Sequence, residues 1–357
     1  EGLLFIGSYR DNEVGADHPL MAHLGNIRQS GCVSILPMHL GNLDVNSIKS
    51  MVSDVLHMVP GTVRPLAEVV FNKTGGNALF AVQLLSSLHD EGLLRFSLTS
   101  RCWQWDIQKI RDKDVADNVV ELMVGKMLRL RPEVQEALSV AACFGAMCQE
   151  SLLRILDRAP DNVMCNVPSL DVAVSEGLMV KSDSAYRFSH DQIQLAAYLL
   201  ISESDRAKSH LRIGRLLWKL SSAQELESSL FVVVEQLHRG SFLMTDPEER
   251  TQLSELSMLA GQMARRMSSF LPAAAYLSAG IRLLADNDWN SHRNLCFNLY
   301  NSCAEIHFIL GEFDAARSHL EEVLRRAMTL QEKLQPHATL ARTLSSLGLT
   351  NEAIDSC

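Results

Sequence analysis

A histidine and an aspartate, His190 and Asp191, lie within the segment RFSHDQIQLAAYLL at residues 187–200. Residues 178–188 have the pattern of a hairpin, and the apolar residues from Ile193 onward follow helical spacing, so both side chains fall in the first turn of a helix. A titratable histidine between a hairpin and a buried helix could have a functional role at this position. Alternatively, Ser189 or Asp191 is the N-cap and His190 faces water. The residues alone leave both interpretations open, and their adjacency does not make a Ser/His/Asp triad.

Two further candidates lie near the start of the chain. Arg10 follows the apolar run LLFIGSY, and an arginine beyond the carboxyl end of a buried strand suits a phosphate. The alternative is an exposed salt-bridge partner. Gly75, Gly76 and Asn77 interrupt KTGGNALF, which by itself predicts a helix end followed by a new helix start. The sequence contains no GxxxxGK[ST] phosphate loop.

The composition disfavours several classes of protein. The chain has 357 residues, of which 47% are hydrophobic and 21% charged, with a net charge of -9. These values are typical of a soluble globular protein and disfavour nucleic acid or an acidic membrane as partner. The eight cysteines show neither CxxC nor zinc-like spacing with histidine, so we expect reduced thiols, no metal site and a cytoplasmic location. No apolar run approaches the about 20 residues that span a bilayer.

The elements that must position the candidate residues divide into four predicted domains. Residues 1–60 contain two apolar runs typical of buried parallel strands, at 3–14 and 33–40, and helices at 19–29 and after the predicted N-cap Asp44. The second helix should bury one face, formed by Val45, Ile48, Met51, Val52 and Val55. Residues 61–115 contain helices at 62–73 and 77–89 and a hairpin at 93–107 that places Trp103 and Trp105 on one side.

The third predicted domain is residues 116–204. Its sequence pattern predicts helices near 116–129, 132–143, 149–157 and 165–176, then the hairpin 178–188 and the helix 190–201. This order is typical of a winged helix. The candidate recognition helix, CNVPSLDVAVSE, has no Lys or Arg, and residues 116–200 hold 7 basic against 11 acidic residues. Since DNA recognition needs basic side chains on the phosphates, we expect no nucleic-acid binding.

Residues 205–357 are predicted to be helical, with an internal repeat. The five repeat positions at a shift of 43 are Ser268/Gly311, Phe270/Phe313, Ala273/Ala316, Leu277/Leu320 and Gly280/Val323. Gly348 and Ala353 match Gly311 and Ala316 at a shift of 37. A turn, an aromatic and a small residue at this spacing are typical of helical hairpins of the tetratricopeptide kind, and generic antiparallel helices are the alternative.

Taken together, these segments resemble the signal-transducing STAND branch of the AAA-type ATPases. They are most similar to the predicted ATPases of large proteins that join a Ser/Thr kinase-like domain to GAF and histidine kinase domains. The resemblance lies in LLFIGSYRDNEV, KTGGNALFAVQLLSSLHDEGLL, CWQWDI, DNVVELMVGKMLRL and YRFSHDQIQLAAY. It implies a mostly α-helical chain: the C-terminal edge of an α/β AAA-type domain with a helical lid, a winged-helix-like module and TPR-like repeats.

The resemblance also implies roles for the candidate residues. Arg10 matches the sensor arginine that reports on the γ-phosphate, and Gly75, Gly76 and Asn77 match a lid motif near the adenine. That motif usually continues with proline, whereas this chain has Ala78. His190 matches the histidine that approaches the β-phosphate of ADP. The Walker A and Walker B segments, which hold ATP or ADP with Mg²⁺, would lie before Glu1, so we expect the chain alone to have no catalytic site.

Two functional hypotheses follow from the sequence. In the first, the chain is the regulatory half of a nucleotide-switched signalling ATPase, and its repeats bind a protein partner. In the second, it is a helical-repeat interaction scaffold without nucleotide function. A transcription regulator is disfavoured by the acidic recognition helix.

Overall fold

The computed structural model describes residues 3–9, 14–31, 33–112, 118–159 and 167–346. The chain forms two compact units, residues 1–112 and residues 113–357. Most described residues are helical, as the sequence predicts. No helix among them has the length and apolar character needed to cross a membrane.

The described residues of the first unit form four major helices, one short helix and one small antiparallel sheet. Its elements are α1 (Pro19–Ser30), α2 (Val45–Leu56), α3 (Pro60–Thr74), α4 (Ala78–Asp90), β1 (Leu94–Ser97), β2 (Cys102–Trp105) and α5 (Ile107–Asp112). The hairpin pairs Phe96 with Trp103, whose rings meet edge to face with their centroids 5.7 Å apart. Asp44 caps α2 as predicted, accepting a hydrogen bond from the backbone N–H of Ser47 at 2.7 Å.

The predicted parallel strands are wrong for this structure. Residues 3–9 and 33–40 contain no strand, and the side chains of Leu3, Phe5 and Leu40 are 94%, 89% and 98% exposed. A parallel strand is stable only when neighbouring strands satisfy its backbone groups. In the described part of this unit the strands are β1 and β2, which pair with each other.

The buried face of α2 also differs from the prediction. Ile48, Val52 and Leu56 are buried, whereas Val45 and Val55 are exposed. The buried residues recur every four positions and form a narrow stripe that packs on α3. The wider face that the sequence predicted also includes Val45 and Val55, and these two side chains would need further contacts to be buried.

The second unit begins with a module of five helices and a three-stranded sheet. Its elements are α6 (Val119–Met127), α7 (Pro132–Ala142), β3 (Met147–Gln149), α8 (Glu150–Leu156), α9 (Val167–Ser175), β4 (Met179–Ser182), β5 (Ala185–Phe188) and α10 (Asp191–Leu199). The sheet has the order β3-β5-β4, and both pairs are antiparallel. Strand β3 adds a third member to the hairpin that the sequence predicted.

Helices fill the rest of the described chain. They are α11 (Glu203–Leu220), α12 (Ala223–Arg239), α13 (Pro247–Arg266), α14 (Phe270–Leu283), α15 (Asp288–Ser291), α16 (Arg293–Leu310), α17 (Phe313–Arg326) and α18 (Leu330–Ser346), with one 3-10 turn at Ser241–Leu243. Neighbouring long helices pack in pairs: α11 on α12, α13 on α14, α16 on α17.

The repeat at a shift of 43 is confirmed by the backbone of two helical hairpins. Ser268 and Gly311 both have positive φ, at 58° and 78°, in the turns after α13 and α16. The N–H groups of Ser269 and Glu312 both donate to carbonyls five residues earlier, at 2.9 Å. Residues 348 and 353, which carry the match at a shift of 37, lie outside the described residues.

The small residue of the repeat is buried in both hairpins. Ala273 and Ala316 are fully buried, and Leu277 and Leu320 are 1% exposed. A Cβ on Gly311 would meet no atom within 4 Å, so the packing of the two helices leaves room for a side chain there. Its φ, rather than close helix packing, accounts for glycine at that position.

Candidate functional site

The GGN stretch forms the junction between α3 and α4. Gly75 ends α3 with φ at 58°, and its N–H donates to the carbonyl of Phe71 at 2.8 Å. Asn77 is the N-cap of α4 and accepts a hydrogen bond from the N–H of Phe80 at 2.9 Å. The interpretation as a helix end followed by a helix start is therefore confirmed.

Gly76 also anchors the segment that precedes α2. Its carbonyl accepts a hydrogen bond from the N–H of Leu43 at 2.8 Å, and the carbonyl of Gly75 accepts one from the side-chain amide of Asn42 at 3.0 Å. With φ at 77°, a Cβ on Gly76 would lie 2.0 Å from the Leu43 oxygen. Both constraints demand glycine, so this residue has a structural role in addition to any contact with a nucleotide.

His190 is itself the N-cap of α10. Its Nδ1 accepts a hydrogen bond from the N–H of Gln192 at 3.1 Å, and the Oδ1 of Asp191 accepts one from the same group at 2.9 Å. The hydroxyl of Ser189 instead donates to the carbonyl of Gly177 at 3.0 Å. The expectation that Ser189 caps this helix is therefore wrong, whereas Asp191 does share the capping.

The ring of His190 is partly exposed, with 39% of its side-chain surface accessible. Its Nδ1 faces the protein, 3.1 Å from the N–H of Gln192 and 2.5 Å from the Oδ1 of Asp191. A ligand would therefore have to approach Nε2.

The predicted site residues are not brought together within one unit. Gly75, Gly76 and Asn77 belong to the first unit, and His190 belongs to the second. Arg10 lies outside the described residues, and its sensor role stays a prediction.

The candidate recognition helix α9 is tied to the wing by an acidic residue. The Oδ1 of Asp171 accepts hydrogen bonds from the Nζ of Lys181 at 2.9 Å and from the hydroxyl of Tyr186 at 2.8 Å. Lys181 and then Tyr186 lower the pKa of the Asp171 carboxyl. Lys181, one of the two cations of the wing, is thus bound by the helix that would have to face a phosphate.

A buried polar chain, which sequence reasoning missed, joins the module to the first pair of repeat helices. Tyr198 on α10 donates to the Nε2 of His210 on α11 at 2.9 Å. The Nδ1 of His210 lies 2.7 Å from the Oε1 of Gln236 on α12, whose Nε2 donates to the carbonyl of Cys143 at 2.9 Å. His210 and Gln236 are each 2% exposed.

This chain of hydrogen bonds assigns one tautomer to His210. Since the glutamine uses its NH₂ on the carbonyl, its oxygen must accept from Nδ1–H, and Nε2 must accept from the tyrosine. Burial lowers the pKa of His210 and so favours this neutral form. A histidine on the buried stripe of α11, one turn before Gly214 and two before Leu217, is the sequence signal that could have identified it.

A cavity of about 330 Å³ lies beside the polar chain. Its lining residues include Cys143, Gln194, Tyr198, Gln236 and Arg239, from both the module and the repeat helices. An ion pair strengthens the same junction: the guanidinium of Arg158 binds both carboxylate oxygens of Glu225 at 3.0 and 2.8 Å. We therefore describe the module and the repeats as one continuous body, as their shared compact unit indicates.

The chain is similar to two curated signalling proteins. It is 29% identical, over an alignment 385 positions long including gaps, to "Hybrid signal transduction histidine kinase G" of Dictyostelium discoideum, covering 91% of this chain and 11% of that protein. It is 19% identical over 317 residues to "Peroxide stress-activated histidine kinase mak3" of Schizosaccharomyces pombe, covering 86% and 13%. The chain thus spans about a tenth of the length of these relatives.

A solved structure also aligns with this chain. It is a signal transduction ATPase with numerous domains (STAND) and a tetratricopeptide repeat sensor, from Pyrococcus horikoshii, at 14% identity and a TM-score of 0.34. The alignment covers 88% of this chain and 46% of that protein. No protein-family model matches the chain.

Proposed function

We propose that this chain is the regulatory segment of a large signalling kinase, coupling nucleotide state to partner binding by the repeats. The observation that supports this most strongly is the alignment of 91% of the chain within a hybrid histidine kinase about nine times longer. Such a segment would act on the kinase rather than catalyse a reaction itself.

The nucleotide part of the proposal depends on His190. In a longer protein with a phosphate-binding core, Nε2 of this ring would contact the diphosphate of ADP, while the start of α10 contributes its dipole. Arg10 would contact the γ-phosphate, and Mg²⁺ would be held by the core.

The α10 helix offers a route from nucleotide to repeats. His190 caps its first turn, and Tyr198 in its last turn is bonded to His210 on α11. A displacement of α10 would therefore reach the repeat helices through a buried hydrogen bond. Because this junction is continuous, we propose that the module and the repeats move together, and that the nucleotide does not release the repeats from the module.

Tyr198→Phe tests this route in a full-length kinase that carries the segment. The substitution removes the hydroxyl that bonds His210 and leaves the ring, so ADP affinity should stay unchanged while the effect of ADP on autophosphorylation is lost. An unaltered ADP effect would contradict the route. The chain alone should hydrolyse no ATP, because it has no phosphate loop.

A second function, a scaffold that binds protein partners without nucleotide, is favoured by a specific observation. The GGN turn and His190 both have complete structural roles as helix caps. Failure of ADP to bind the full-length kinase through this segment, with partner binding retained, would support the scaffold.

A further inference from the structure

We propose that Cys303, His307 and His319 form a binding site for a zinc-like divalent cation between α16 and α17. One ligand atom from each residue lies within 4.8 Å of the others. The Sγ of Cys303 and the Nε2 of His319 are 3.6 Å apart, which is close to the separation of two ligands on a tetrahedral zinc ion. Thiolate and imidazole together select zinc over magnesium or calcium.

The spacing of the ligands suits their helices. Cys303 and His307 are four residues apart on α16 and therefore share one face, and His319 on α17 packs against that face. The rings of the two histidines are stacked with centroids 5.5 Å apart. A bound cation would cross-link the two helices of this hairpin.

Residues around the ligands provide the outer contacts that metal sites use. The Nδ1 of His307 lies 2.6 Å from a carboxylate oxygen of Glu312, which leaves Nε2 as the ligating nitrogen. The hydroxyl of Ser278 on α14 lies 3.4 Å from the Sγ of Cys303.

The preceding hairpin shows that helix packing does not require these side chains. At a shift of 43, the positions of Cys303, His307 and His319 are occupied by Ala260, Ala264 and Tyr276. Ala260 and Ala264, which correspond to Cys303 and His307, are buried in α13. The Cys–His–His set is therefore a feature of this one hairpin. The signal in the sequence is C-x3-H on one helical face with a histidine in the next helix, a spacing different from that of a CxxC motif.

The test uses the full 357-residue chain, freed of metal with a chelator and titrated with Zn²⁺ or Co²⁺. We expect one equivalent of tightly bound metal and, with Co²⁺, the absorption of a thiolate-to-metal charge transfer. The variants Cys303→Ala, His307→Ala and His319→Tyr install the residues of the preceding hairpin, so they should fold and lose stoichiometric binding.

Two further variants sharpen the assignment. Glu312→Gln should weaken zinc affinity by about 10- to 100-fold, as loss of an outer contact does. Cys296→Ala, which removes another buried thiol of α16 outside the cluster, should bind zinc as the parent does. The proposal is overturned by less than stoichiometric zinc in the parent chain, by Co²⁺ without thiolate absorption, or by equal losses in Cys303→Ala and Cys296→Ala.

Discussion

The hairpin α13–α14 and the hairpin α16–α17 share one backbone design and differ in what that design carries. Both use a left-handed residue at the turn, and both bury an alanine and a leucine at the same positions. Among the positions that differ are the turn residue, the small residue that faces the leucine, and three positions that hold alanine and tyrosine in the first hairpin and the proposed metal ligands in the second. Helix packing determines the residue types at only some positions of each hairpin. The remaining positions can hold residues that bind a ligand.

The largest expected effect tests whether the two cores are equivalent. Leu277→Ala and Leu320→Ala each remove a side chain that is 1% exposed, so each should lower the free energy of unfolding by about 2–5 kcal/mol. Denaturant unfolding of the two variants checks this. A loss in one hairpin and none in the other would show that the sequence match does not reflect equivalent packing.

The two hairpins also differ in the small residue that faces the buried leucine. A Cβ on Gly261 would lie 2.6 Å from the Cγ of Leu277, whereas the matching position holds Ala304, fully buried in one cluster with Leu320. Gly261→Ala should therefore destabilise the chain by about 1–3 kcal/mol through overpacking. Thermal unfolding measures the effect, and a Gly261→Ala protein as stable as the parent would contradict this close approach.

A half-buried histidine on α12, His238, makes the packing of α12 on α13 sensitive to acid. Burial, and then the charge of Arg282, lower the pKa of His238 to about 4, and its Nε2 lies 2.8 Å from the hydroxyl of Ser257 on α13. In the unfolded chain the group titrates near 6.5, so the unfolded state binds more protons between those values and stability falls as pH drops through them.

We expect this histidine to account for about 2–3 kcal/mol of the loss between pH 6.5 and pH 4, since each unit of pKa difference corresponds to about 1.4 kcal/mol. His238→Gln keeps a donor to Ser257 and should reduce the slope of stability against pH in that window. Glu225 and Glu332, whose carboxyl pKa values are lowered to about 2 by Arg158 and Arg293, lose their contribution mainly below it. An unchanged slope in His238→Gln would contradict this assignment.

The smallest effects concern the turns. Ser268 has φ at 58°, a conformation that costs L-residues about 1–2 kcal/mol, so Ser268→Gly should stabilise the chain by somewhat less than this. Gly311→Ser, the reverse exchange at the matching turn, should destabilise it by a similar amount. Thermal unfolding of both variants checks the pair, and shifts of the same sign would contradict the equivalence of the turns.

The helices and the repeat were predictable because their signals are local. Asp44 and Asn77 cap helices that begin at the next residue, so each cap and its helix are adjacent in the sequence. The match of Phe270 with Phe313 is found by comparing residues at a fixed separation along the chain. The prediction of strands at 3–9 and 33–40 was wrong because a parallel strand depends on neighbouring strands, and local hydrophobicity does not reveal whether these are present. The bond from His210 to Gln236 joins residues 26 positions apart, and only the packing of α11 on α12 brings them together.

The capping role of His190 was missed for a different reason. Serine, threonine, aspartate and asparagine dominate N-caps, so the sequence favoured Ser189 or Asp191 over a histidine. The structure places the imidazole of His190 at the N-cap of α10. Substitutions at this position can therefore separate helix capping from the proposed contact with ADP. Asparagine retains a capping acceptor without the ring, and alanine retains neither.

The affinity of ADP for a full-length kinase carrying His190→Asn tests the proposed function most directly. If the ring contacts the diphosphate, ADP should bind about 10- to 100-fold more weakly, because one charge-assisted hydrogen bond contributes about 1.5–3 kcal/mol. The stability of the asparagine variant should stay near that of the parent, whereas His190→Ala should also lose about 1 kcal/mol of helix capping. Parent-like ADP affinity in His190→Asn would contradict the sensing role and leave His190 as a helix cap alone.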